Sequence, residues 1–213
     1  MPSFCKNVFI NCPFDKEYKP LLNALLFTII DCGFKPRVAS EISDSGDIRV
    51  AKINRLIRES CFSIHDICRI EPSIGKLPRF NMPFELGLDF GCKFHGPRKF
   101  KRKKFLILEE KRFRYQKVIS DISGYDIKAH SNNPQILVEK VRHWILDTAV
   151  SPRKLNIPAP KRIWQRLNDF YSHFEIATKK AGYSRKHVRD IPVKEFVGYI
   201  TDWKKLNPIH YES

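Results

Sequence analysis

Through residues 1–150 short apolar runs alternate with longer stretches of helical periodicity, and few folds satisfy that alternation. Asn7–Cys12 reads as a strand stopped by Pro13, which has no N–H for a ladder. Asp15 can cap a helix from Lys16 to about Asp31, with Leu21, Leu22, Leu25, Leu26 and Ile29 on one face and Gly33 as its stop. Phe34–Ser40 reads as a second strand, Asp44–Asp47 as a turn, and Ile48–Ser60 as a helix that buries Ile53, Leu56 and Ile57. Cys61–Ile67 is apolar enough to sit mid-sheet, Lys103–Leu108 and Asp126–His130 supply two more strands, and Asn132 and Asn133 cap a helix from Pro134 to about Thr148. The pattern predicts an α/β fold, a parallel sheet of about five strands with helices on both faces.

In such a sheet ligands bind beyond the carboxyl ends of the strands. The loops that matter are therefore Asn11–Asp15, Glu41–Asp47, Asp66–Asn81 and Glu109–Gln116. The third of these leads into Phe80-Asn81-Met82-Pro83-Phe84-Glu85-Leu86-Gly87. Asn81 reads as an N-cap and Pro83 fits a first helical turn, which would put Glu85 near the positive end of the helix dipole and favour its charged form. A carboxylate held there can attack, or stabilise, a cationic sugar carbon. Asp66, at the end of the third strand, is a possible second acid; His65 beside it points to the opposite face. Asn11 and Asp15 could hold ribose hydroxyls, Phe14 and Phe80 could stack on a base, Arg79 and Arg114 could grip a pyrophosphate, and Ser45 and Asn81 complete the polar set. Gly87 and Gly91 form a small-residue ridge that would let this helix approach the sheet closely.

Residues 151–160 carry Pro152, Pro158 and Pro160 and read as a linker. Ile163, Leu167, Phe170, Phe174 and Ala177, then Val193, Phe196, Val197, Ile200 and Trp203, recur at helical spacing, so residues 161–213 form a C-terminal helical hairpin. Its aromatic stripe must pack on the first domain or on a partner, which makes a homo-oligomer or partner-protein surface possible. The net charge of +16 is concentrated in residues 98–104, with six basic side chains in seven positions, and in 111–117. Both runs interleave aromatics and could contact nucleic acid.

Several classes drop out. The six cysteines contain no Cys-x-x-Cys pair, so neither a zinc site nor a disulfide framework is indicated, and no metal is expected. No phosphate-cradling loop or Gly-x-Gly-x-x-Gly fingerprint is present. No apolar run reaches the roughly 20 residues of a membrane span, and the first residues lack a signal peptide's apolar stretch, so a cytoplasmic location is expected.

Val8-Phe9-Ile10-Asn11-Cys12-Pro13-Phe14-Asp15, Ile64-His65-Asp66-Ile67 and Leu77-Pro78-Arg79 through Leu86-Gly87 together resemble a group of bacterial TIR-like proteins. That group is similar in fold to the nucleoside 2-deoxyribosyltransferases. The resemblance covers about residues 7–146 and implies a flavodoxin-like or TIR-like sheet. It implies that Glu85, at a helix start, works on a ribosyl C1′: as a nucleophile in the transferases, or in support of nicotinamide loss from NAD in TIR enzymes. Asp66 is similar to an acid that the transferases apply to base or sugar. Arg79-Phe80-Asn81-Met82-Pro83 stands where transferases carry Asp-Gly-Thr. The resemblance thus points to an NAD glycohydrolase or cyclase in antiviral defence, with NAD as substrate and no bound cofactor. A nucleoside or nucleotide N-glycosidase or deoxyribosyltransferase-like enzyme, and a non-catalytic nucleotide-signal or nucleic-acid binding module, remain alternatives.

Overall fold

The computed structural model describes residues 3–41, 46–69, 78–149 and 157–209. Strands β1 (Asn7–Asn11), β2 (Lys35–Val38), β3 (Phe62–Asp66), β4 (Lys104–Glu109) and β5 (Lys128–Ala129) form one sheet in the order β2-β1-β3-β4-β5. Every pairing is parallel. This is the flavodoxin-like order, in which the chain first steps to one edge and then reverses across β1. The reversal opens a crevice at the carboxyl ends of β1 and β3.

Alternation along the strands sets the layers. Val8, Ile10, Ile64, Leu106 and Leu108 share a core with the leucines of α1 (Lys19–Asp31) and with Leu137, Val138 and Val141 of α4 (Pro134–Ala149). Phe9 turns the other way, onto Ile53, Leu56 and Ile57 of α2 (Arg49–Glu59), where Leu88 of α3 (Asn81–His95) joins it. A further layer, α5 (Pro160–Lys180) and α7 (Val193–Leu206), lies outside α1.

The C-terminal helices share the main core. Ile163, Leu167, Phe170, Phe196, Ile200 and Trp203 belong to the same buried cluster as α1. The Phe27 ring meets Phe170 at 5.6 Å and Trp203 at 5.7 Å. Arg166 grips Asp31 through two nitrogens, at 2.8 Å and 3.1 Å, and Lys204 donates to the Ile30 and Asp31 carbonyls. The aromatic stripe is thus covered by this chain's own α1. Of the expected linker, residues 151–156 lie outside the described residues. Ile157 is buried in the core, and Arg142 donates to the Ile157 and Pro158 carbonyls.

Element ends differ from expectation for local reasons. α1 starts at Lys19 rather than Lys16, because Asp15 Oδ1 accepts the Tyr18 N–H at 2.9 Å and holds a turn over residues 16–18. Pro20 then falls in the first helical turn, where it needs no N–H. Asn133, not Asn132, caps α4, accepting from the Gln135 and Ile136 N–H groups. A short helix, α6 (Arg185–Arg189), interrupts the expected hairpin, with Ser184 as its cap. Gly33 and Gly182 end α1 and α5 at φ of +86° and +81°, a region that disfavours side chains. Among the described residues no helix is long and apolar enough to cross a membrane.

Candidate active site

α3 begins at the crevice. Its N-cap position is Phe80, which makes no side-chain cap, and Asn81 is the first helical residue rather than the cap. Glu85 therefore opens the second turn, beyond the reach where the helix dipole counts most. Its side chain is nearly buried, at 6 % exposure, on the wall of a cleft of about 470 Å³. Asn11 to Phe14 line this cleft from the end of β1, and Ser40 follows β2. Arg49 comes from α2, Arg79 and Asn81 from around the start of α3, Ile191 and Pro192 from the α6–α7 connection, and Val193 from the start of α7.

A first-turn position would have kept Glu85 ionised, but its surroundings oppose the charge. Burial pushes its carboxyl up to about 7, and the Arg49 guanidinium pulls it only part of the way back. Arg49 lies 3.8 Å from Oε1 with its side chain 63 % exposed, so water screens the attraction. At neutral pH the group stands poised between acid and base.

A buried polar chain fixes α3 behind this carboxyl. Asn11 Nδ2 donates to the Met82 carbonyl at 2.8 Å and meets His65 Nδ1 at 3.0 Å. The Met82 carbonyl can only accept, so the amide nitrogen faces it, and His65 Nδ1 accepts as well. The ring proton is thus assigned to Nε2, which donates to Asp89 Oδ2 at 3.1 Å. Lys103 Nζ lies 3.1 Å from Asp89 Oδ1 and donates to the Ile57 and Ser60 carbonyls. Burial works to raise the Asp89 carboxyl, but His65 and Lys103 outweigh it and hold the group below its ordinary range. Gly87 and Gly91 do not provide the expected close approach: a Cβ on either would meet open space. The hydrogen-bonded chain does that work.

Asp66 faces the opposite side of the sheet. It is fully buried and accepts from Tyr18 Oη at 2.5 Å and from the Cys68 N–H at 3.0 Å. His130 Nε2 lies 3.0 Å from Oδ2. Against the cost of burial, these partners keep Asp66 below its ordinary range. It does not line the Glu85 cleft. Asp66, Cys68 and His130 are close enough together to suggest a metal site. Yet His130 Nδ1 accepts the Asn132 N–H at 3.0 Å, which puts the ring proton on Nε2 and leaves no inward lone pair. Burial and Asp66 push the Cys68 thiol far up. The residues fit a structural network rather than a cation site.

The other expected residues divide. Asn11, Phe14, Arg79 and Asn81 join Glu85 at the cleft. Asp15 is bound to Arg69 and Arg79 at 3.4 and 3.2 Å and does not line it. Phe80 is exposed outside the cleft. Arg114 is engaged by Glu109, Glu110 and the Cys68 carbonyl. Ser45 lies outside the described residues. Within residues 98–104, Lys103 is fully buried on Asp89, so the run presents less charge to solvent than its sequence indicates.

Arg49 and the Ile191–Val193 segment line the cleft without having been expected there, whereas Cys12 falls in an expected loop. Arg49 sits just past one of the named loops and was findable by position. Ile191 to Val193 are distant in sequence, with no motif to mark them. Cys12 lines the cleft, but burial first and then Asp66, Glu85 and Asp15 push its thiol up, so it is no ready nucleophile.

Comparison with known proteins returns nothing for this chain: no protein-family model, curated protein or solved structure matches it.

Proposed function

We propose that this chain is a TIR-like N-glycosidase that cleaves the nicotinamide–ribose bond of NAD. The supporting observation is Glu85: a carboxyl withdrawn from water, rigidly held, and facing a cleft at the sheet's reversal point with only a screened counter-ion. Nicotinamide in NAD is a cationic leaving group, so the C1′–N bond can break with its electron pair going to the ring nitrogen and no acid assistance. The oxocarbenium-like carbon that develops is stabilised by the Glu85 carboxylate. Water then adds to C1′ and releases a proton, or an internal nucleophile closes a cyclic product. Arg49 and Arg79 line the same cleft and add positive charge that suits an anionic substrate.

Chromatography of NAD incubated with the protein tests this reading. Free nicotinamide should appear, and Glu85→Gln should slow its release by about a hundredfold or more. Release at the normal rate by that variant removes the catalytic role.

One observation favours a second reading, a nucleoside or nucleotide N-glycosidase. A carboxyl with a pKa of about 7 is half protonated at neutrality and could itself protonate a neutral leaving base. The pH profile separates the two. NAD cleavage should rise through pH 7 as Glu85 ionises, whereas acid-assisted base release should fall.

A further inference from the structure

On the far side of Phe14 from Glu85 lies a wider groove, about 1080 Å³, between the first turn of α1 and helices α5 and α6. Phe14 lines both spaces, and the partition continues through Asp190 on the groove side and Ile191 on the cleft side. Lys19 braces that partition by donating to the Ile191 carbonyl at 3.2 Å.

The groove's charge is unbalanced. Lys16, Lys179, Arg185, Lys186 and Arg189 line it, and none of the five forms an ion pair among the described residues. The carboxylates present are Asp15, Glu175 and Asp190. Asp15 is held by Arg69 and Arg79, and Asp190 acts on Lys19. Five cations without an ion-pair partner, set against the Glu175 carboxylate, leave the concavity with a positive excess that raises the local concentration of anions, and the Phe14 and Tyr183 rings offer faces for a base. By contrast, the basic runs that stand out in the sequence commit Lys103 and Arg114 to buried or paired contacts. The groove is also finite and opens beside the cleft, which suits a compact nucleotide better than a long polymer.

We propose that this groove binds the diphosphate and base of a nucleotide, so that its far ribose reaches Glu85. The inference rests on the N-glycosidase reading and adds that the C-terminal helices build half of the substrate site.

The test uses the full chain and a triple variant, Lys179→Ala, Lys186→Ala and Arg189→Ala, all on exposed positions whose loss leaves the core intact. Calorimetric titration with ADP should show binding weakened about ten- to hundredfold, from three exposed charge contacts. KM for NAD should rise by a similar factor with kcat within about twofold, because the chemistry at Glu85 is untouched. Lys180→Ala, next to the groove but not lining it, should bind ADP as the parent does. The proposal is overturned if the parent chain does not bind ADP, if the triple variant binds it unchanged, or if a single-stranded oligonucleotide binds more tightly than ADP and is lost in the same variant. Should ADP behave as expected while Glu85→Gln still releases nicotinamide at the parent rate, the groove stands and the glycosidase reading fails.

Discussion

Glu85 and Asp89 stand one turn apart on α3, both withdrawn from water, and their surroundings drive them in opposite directions. Asp89 has the His65 ring at 3.1 Å and the Lys103 ammonium at 3.1 Å, with both partners fully buried. Glu85 has a half-solvated guanidinium at 3.8 Å. One carboxyl is fully compensated and holds the helix in place; the other is left with an unmet demand for positive charge. Compensated groups make structure, and an uncompensated one is available to a ligand that brings the missing charge.

The comparison breaks most sharply at Lys103. Lys103→Ala leaves Asp89 charged and buried without its cation and should cost about 3–5 kcal/mol, read by urea unfolding. Adding Asp89→Asn should restore part of the loss, since the stranded charge is then gone. A double variant no more stable than the single one would show that Lys103 serves packing instead.

Glu85 should show the reverse. Its pKa is raised from 4.5 to about 7, so between those values the folded protein holds a proton that the unfolded chain releases. Stability therefore falls as pH rises through that window, by on the order of 3 kcal/mol once pH exceeds 7. Glu85→Gln removes the cost: its melting temperature should exceed the parent's at pH 8, and the gap should close near pH 4. Equal melting temperatures at both pH values would mean that the carboxyl is better solvated than its burial indicates. The smallest effect belongs to Arg49. Arg49→Ala removes the charge that, among the described residues, draws the Glu85 pKa down, so the acid limb of the rate profile should move to higher pH by less than about one unit. A shift to lower pH would show that Arg49 does not act on Glu85 as a counter-ion.

The sheet was legible because β1 and β3 are short apolar runs between long helical patterns, a signal carried entirely by local spacing. Placing Glu85 beside the crevice followed from the same signal. The rest of the site was not local. Nothing near Asp66 shows that Tyr18 and His130 will enclose it from the other face, although strand alternation with His65 did predict that the two diverge. The contribution of Ile191 to Val193 depends on α5 and α7 folding back over α1, a tertiary event with no spacing to announce it. The basic runs misdirect for a related reason: charge is visible in sequence, but whether Lys103 finds Asp89 is decided by the fold.

The grip of Arg166 on Asp31 reaches beyond local stability. A fragment ending before Pro160 would keep every strand, yet Asp31 would lose its guanidinium and Phe27 would lie bare to water. Such a piece would self-associate through its exposed flank, so clumping after truncation would report a missing shield rather than a natural assembly.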